Sequence, residues 1–277
     1  MSVMSDFKSD LLKMLQRPTF ELSLLEKQWS TIEAQFKREQ IRLARKVPIN
    51  DPIRSGVDLF GPLDRGLDEI LHTRAIGYLL NPNAQHGLKK KALTAVIDKV
   101  KDVSPRGVGA TQFLAILHQE RTTISVTPEY RWRVEDFKRT AARCDIRIEL
   151  SSPASTALLI IENKIRSTGT NEQLKWYERK ANEWRKENER GIDPLLIYLT
   201  RTDLQKIKAS DSKWLDLTYI ELAAALRKVW LEEKDGAGRE WLSLYISSIT
   251  GRVLGINGRE LTKAPINFIE TYLGEGA

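Results

Sequence analysis

Two neighbouring stretches of the chain carry opposite hydrophobic patterns. Residues 144–150, "CDIRIEL", alternate apolar and polar positions, the period of a strand with two different faces. Residues 157–165, "ALLIIENKI", are aliphatic at six of nine positions, the pattern of a strand buried on both faces. Between them "SSPAST" is turn chemistry. Upstream, 122–134 alternates and is rich in β-branched and aromatic residues, so it reads as a further strand. Downstream, "PLLIYLT" at 194–200 is a buried strand and "WLDLTYI" an edge strand.

Helical periodicity fills the rest. Residues 67–80, 87–103 and 111–121 precede the strands, and 170–190 lies between the third and fourth. Three further helical stretches follow, "ELAAALRKVWLEEK", "REWLSLYISSITGRVL" and "INFIETYL". This order predicts an α/β fold with a mixed central sheet flanked by helices. Residues 5–47 read as a charged amphipathic helix in which Leu22, Leu25, Trp29, Ile32, Phe36 and Leu43 mark one stripe. Pro48 and "PINDP" end it. The expected organisation is a helical N-terminal extension over 1–50 and a main domain over 51–277. The extension packs on the main domain or forms the seam of a homodimer.

The third strand poses a chemical problem, because Glu162, Asn163 and Lys164 sit near the end of an apolar run. Burying charge is costly unless it is compensated. Symmetric closure of the hairpin over residues 151–156 pairs Leu150 with Ala157 and sets Asp145 opposite Glu162. Alternation puts Glu162 and Lys164 on one face, roughly 6.6 Å apart at about 3.3 Å per residue. Opposed carboxylates repel, and a cation between them relieves the repulsion. Mg²⁺ suits such a place, since it takes oxygen ligands and keeps several waters. Cation, carboxylates and lysine together suit hydrolysis at phosphorus.

Composition narrows the alternatives. The 277 residues are 41% hydrophobic and hold one cysteine, which fits a reducing cytosol and excludes an internal disulfide framework. There is no CxxC or HxxxH spacing, and no GxSxG, GxxxxGK[ST] or GxGxxG, so zinc-ribbon, serine-hydrolase, P-loop and Rossmann readings have no footing. No apolar run is long enough to span a bilayer, and the first residues lack a secretory apolar region, so a cytoplasmic protein is expected. Lys and Arg outnumber Asp and Glu 44 to 37, a mild lean towards polyanions. Basic residues gather at Arg131, Arg133, Lys138, Arg139, Arg143 and Arg147, interleaved with Tyr130 and Trp132. This edge reads either as a phosphate-tracking surface or as a merely solvated one.

Asp145 followed by Glu162-Asn163-Lys164 resembles the D…ExK pattern of the PD-(D/E)XK nuclease superfamily, with Cys144 where the family carries proline. "QLKWY", Gln173 to Tyr177, resembles the QxxxY motif of some members, and "DEILHTRAIGYLLNPNAQHG" resembles the N-terminal segment of a bacterial subfamily. The resemblance implies a restriction-endonuclease-like fold and a Mg²⁺-dependent nuclease, with Mn²⁺ able to substitute. DNA is the expected substrate, RNA is not excluded, and a restriction or phage-defence setting is the family's suggestion. By resemblance, Asp145, Glu162, the Asn163 carbonyl and Glu69 hold the metal and Lys164 positions the attacking water. Arg131, Arg133 and Arg143 would contact nucleic acid.

Gln173 has two readings, a substrate contact or the reciprocal half of a T-x-x-Q capping box with Thr170. Tyr177, one turn further, is a site residue or core. Cys144 and His86 read as structural. The alternative to a nuclease is a catalytically silent protein of the same fold that binds nucleic acid or a partner protein.

Overall fold

The computed structural model describes residues 22–55, 57–104, 108–132, 143–166, 170–201 and 213–274. The sheet has five strands in chain order: β1 Thr123–Arg131, β2 Arg143–Ser151, β3 Thr156–Lys164, β4 Leu195–Thr200 and β5 Trp214–Thr218. The first three run antiparallel, and β3, β4 and β5 are mutually parallel. The sheet is therefore mixed, as the element order predicts, and β5 lies at its edge.

The hairpin register is the one that turn length implies. Leu150 pairs with Ala157 and Ile146 with Ile161, and Ser151–Thr156 adds one more pair. Ser152 closes the turn, its main-chain N–H and its hydroxyl both donating to the Ser155 carbonyl at 2.9 Å. A turn this tight allows no slip, and a slip of one would exchange the two faces of β3.

Those faces meet different layers. Ala157, Leu159 and Ile161 join the main core with Ile146, Ile148 and Leu150. It is roofed by helices α3 Glu69–Leu80, α4 Lys91–Val103, α5 Val108–Leu117, α7 Tyr219–Glu232 and α8 Ala237–Ser248. Leu158 and Ile160 face a smaller, aromatic-rich cluster under α6, Asn171–Glu187. That helix presents Leu174, Tyr177 and Ala181, a three-then-four spacing on one side.

Strict alternation fails at the start of β2. Cys144 is buried, as expected, but it packs in the α6 cluster while Ile146 belongs to the main core. Two residues apart on an ideal strand, they would share a face. At the same level of β1, Glu129 has φ 53°, and the ladder skips the Glu129–Asp145 position. A left-handed residue inside a strand kinks it, and the kink turns the first residues of β2 away from the regular pleat.

Helix α1 runs from Leu22 to Lys46, and the short α2 covers Pro52–Ser55. The stripe on α1 divides along its length. Leu43, Ala44 and Val47 are buried in the main core, whereas Ile32 and Phe36 are 53% and 36% exposed. Arg54 caps the end of α1, donating to the carbonyls of Ala44 at 2.8 Å and Val47 at 3.2 Å. Asp51 is wholly buried; it accepts from Arg227 Nε at 2.7 Å and from Tyr272 Oη at 2.6 Å. The segment after α1 is thus tied to α7 and to the last helix, α9 Ile266–Leu273. Among the described residues no helix is long and apolar enough to cross a membrane.

Candidate active site

The parallel strands β3, β4 and β5 end level with one another, at Lys164, Thr200 and Thr218. Helix α3 starts beside this edge. Asp68 caps it, accepting from the N–H groups of Ile70 and Leu71. The cap sets Glu69 in the first turn, where its Oε1 accepts from Ile165 N at 2.8 Å and Arg166 N at 3.0 Å. A carboxylate thus supplies the acceptor for amides that leave the sheet at the end of β3.

Asn163 faces the main core and is fully engaged there. Its Nδ2 donates to the Glu69 carbonyl and to Thr73 Oγ1, both at 3.2 Å, and its Oδ1 accepts from Tyr219 Oη at 2.8 Å. The side chain therefore has no role at the opposite face, and only the main-chain carbonyl of Asn163 can serve a ligand there. Its main-chain N–H donates to Asp145 Oδ2 at 2.7 Å. The regular β2–β3 ladder ends at Ile146–Ile161, and the Asp145 side chain satisfies an amide just beyond it.

On the other face, Glu162 is 1% exposed. Its Oε1 accepts from Lys164 Nζ at 2.7 Å and from Gln173 Nε2 at 3.0 Å. Its Oε2 is buried and accepts no hydrogen bond of normal geometry among the described residues, although the nearby Asp145 main-chain N–H also favours the charged form of this carboxyl. An orphaned carboxylate oxygen at this depth costs roughly 1–3 kcal/mol or more. Burial, then repulsion from Asp145, pushes the Glu162 carboxyl up to about 8, despite the opposing pull of Lys164. Asp145 is raised too, chiefly by burial, with the Lys164 charge and the Asn163 amide opposing. Burial would lower Lys164, but the Glu162 and Asp145 carboxylates outweigh it and hold the ammonium protonated.

Gln173 does not complete the reciprocal capping box, and its side chain turns to the acids instead. Thr170 Oγ1 accepts from Gln173 N at 3.2 Å, so the first half of the capping box forms. The side chain does not reach back to Thr170. Its Nε2 donates instead to Glu162 Oε1 and to Tyr177 Oη, the latter at 2.8 Å. Tyr177 is wholly buried, donates to the Arg143 carbonyl, and stacks on Trp132 with ring centroids 5.6 Å apart. A chain of contacts thus runs from the start of β2 through Tyr177 and Gln173 to Glu162. Tyr177→Phe leaves the Arg143 carbonyl without a donor and Gln173 with one acceptor fewer. The expected loss is about 1–3 kcal/mol of stability by chemical denaturation, together with reduced turnover; parent-like values in both would contradict this role.

The basic residues divide. Arg143 Nη1 binds Glu129 Oε1 at 3.1 Å, and Arg74 holds the other oxygen of Glu129 at 2.8 Å. Arg131 is exposed at the end of β1, and Arg133, Lys138 and Arg139 lie outside the described residues. Arg147 is not part of an open edge. It is buried, lies 4.1 Å over the Tyr130 ring, and pairs with Glu149 at 3.0 Å. His72, one turn after Glu69, sits in an aromatic pocket; its ring nitrogens are 3.1 Å from Tyr245 Oη and from the Gly66 carbonyl. Burial lowers its pKa, so it is a neutral core group. His86 fixes its own loop, with Nε2 2.9 Å from the Tyr78 carbonyl and Nδ1 accepting from Leu88 N.

Sequence reading missed the supports Thr73 and Tyr219. Tyr219 had a local signal, since Thr218-x-x-Glu221 is a capping box that marks the start of α7. Nothing local marks Thr73.

Among the described residues no three His, Cys, Asp or Glu side chains gather as a metal-binding group. A cation here would draw on two carboxylates, main-chain oxygen and water, an arrangement Mg²⁺ accepts. The orphaned Glu162 oxygen beside an opposed carboxylate fits that demand.

A mixed sheet flanked by helices, with the D…ExK hairpin at its centre, defines a restriction-endonuclease-like α/β protein. The family model of the PD-(D/E)XK nuclease superfamily matches residues 57–247, and the chain belongs to that superfamily. Its members generally use divalent metal ions, and membership points to nuclease activity. No curated protein and no solved structure matches the chain.

Proposed function

We propose that the protein hydrolyses phosphodiester bonds in DNA with Mg²⁺, or Mn²⁺ in its place. The carboxylates of Asp145 and Glu162 and the main-chain carbonyl of Asn163 hold the ion. The observation that carries this reading is the Glu162 side chain, with one oxygen bound to Lys164 and Gln173 and the other buried without a hydrogen bond of normal geometry among the described residues. A divalent cation held there polarises the phosphoryl group and eases deprotonation of the attacking water.

The chain's own residues supply the positioning. Lys164 keeps its proton and offers a donor where negative charge develops, and it orients the attacking water. Gln173 fixes the rotamer of Glu162, and Tyr177 fixes Gln173. Glu69 anchors the end of β3, so that Lys164 stays in register with the acids. Arg131 and Arg143 lie at the β1–β2 end of the site and serve as phosphate contacts.

The test uses plasmid, linear duplex and single-stranded DNA with Mg²⁺, Mn²⁺ or EDTA. Cleavage is expected with either metal and absent in EDTA, and Lys164→Met is expected to remove it. No cleavage of any substrate with either metal would leave the silent, binding-only reading standing.

A further inference from the structure

Outside the superfamily match, α1 carries a concentration of charge that the site does not use. Between residues 37 and 46 it holds five basic residues against the single acid Glu39, a net of +4 in a chain whose formal charge is +7. Lys37, Arg38, Arg42, Arg45 and Lys46 are exposed. Glu39 pairs with Arg42, and Glu270 of α9 acts on the same guanidinium. Lys37, Arg38, Arg45 and Lys46 make no ion pair with a described residue.

Arg38, Arg42 and Arg45 recur at four and then three residues, so they share a face. Ile41 and Lys46 flank them on the same open face of the helix. Leu43 and Val47 point the other way, into the core. The Arg54 guanidinium adds a further positive group at the C-terminal end of α1.

We infer that this face of α1 is a second nucleic-acid contact, a backbone-tracking surface for duplex DNA. Arg38 to Arg45 spans about 10.5 Å of helix at 1.5 Å per residue. Duplex DNA presents one charge per roughly 1.7 Å of its axis, so several phosphates fall within that reach. An anionic membrane is the less suitable partner for the basic stretch, because the apolar positions beside it, Leu43, Ala44 and Val47, are occupied by the protein's own core, and the exposed Ile32 and Phe36 lie upstream of most of the basic residues. The contact has no base-reading geometry and would add affinity without sequence preference. It rests on the reading of the chain as a DNA hydrolase.

The test compares the parent with Arg38→Ala/Arg45→Ala/Lys46→Ala. Binding of a 20-base-pair duplex is measured in EDTA across a salt series. Turnover of bis(p-nitrophenyl) phosphate with Mg²⁺, a substrate too small to bridge site and helix, is the control. Removing three phosphate contacts should make the slope of log K against log salt shallower by about 2.7. Affinity at 100 mM salt should fall at least about tenfold, with small-substrate turnover unchanged. An Arg38→Lys/Arg45→Lys variant should keep the parent slope, since charge and not shape is read. An unchanged slope in the alanine variant would overturn the inference and leave the hydrolase reading intact. A lysine variant as weak as the alanine one, or binding to phosphatidylserine vesicles with no loss on the duplex, would also overturn it. A parent that binds no duplex at low salt would overturn the inference, while the hydrolase reading stands or falls on cleavage with Mg²⁺.

Discussion

Asp145→Asn should abolish cleavage, by about 10³-fold or more, while leaving the metal-free protein as stable as the parent or slightly more so. The two halves of this expectation come from different atoms. Asn keeps an oxygen where Asp145 Oδ2 now accepts from Asn163 N, so the support at the end of the ladder survives. What it removes is a charge that burial and the neighbouring Glu69 disfavour in the metal-free fold. Relief of that repulsion is worth up to about 1 kcal/mol. Added Mg²⁺ should then raise the melting temperature of the parent and barely move the variant, since only a ligand with differential affinity for the native state stabilises it. If the acid were instead a structural partner of Lys164, its loss would lower the melting temperature in EDTA as well. A variant that melts lower in EDTA and still cuts would sink the assignment.

The second large effect concerns pH. The Glu162 carboxyl stands at about 8 in the fold against an ordinary value of 4.5. Between those two values the folded protein holds a proton that the unfolded chain releases, so metal-free stability should fall as pH rises from 4.5 to about 8 and level off above. The total is on the order of a few kcal/mol. Glu162→Gln cannot ionise and should flatten this decline, which urea titrations in EDTA at several pH values would measure. Lys164 works in the opposite sense: its raised pKa keeps the ammonium, and the stability it brings, throughout that window. A proton and a cation compete for the same oxygens, so Mg²⁺ affinity of the parent should also strengthen as pH approaches 8. A pH-independent Mg²⁺ affinity would show that Glu162 is not a ligand.

The central hairpin was legible because its information is local. Six residues between the two runs, four once Ser151 pairs with Thr156, leave little freedom in register, so the opposition of Asp145 and Glu162 follows from counting residues. The aliphatic run of β3 announced burial on both faces, and the helix after it announced a parallel return to β4. Cys144 was harder. Its place in the α6 cluster depends on a left-handed Glu129 in the neighbouring strand, a conformation that no periodicity in "CDIRIEL" encodes. The wiring of Asn163 was hidden for a different reason. Thr73 and Tyr219 stand 90 and 56 residues away, and only the packed fold brings them to one amide. Arg147 looked like surface because its charge was visible and the Tyr130 ring that covers it was not.

The buried Asp51 imposes an order on synthesis. Its counter-charge, Arg227, comes 176 residues later and the Tyr272 hydroxyl 221 residues later. At roughly 5–20 residues per second, a growing chain waits about 10–45 s for that last donor. Until then a docked Asp51 would be a buried carboxylate lacking its hydroxyl donor, a state costing about 1–3 kcal/mol. The end of α1 therefore gains by staying undocked while the sheet forms. The set of contacts at Asp51 is complete only once Tyr272 has been made.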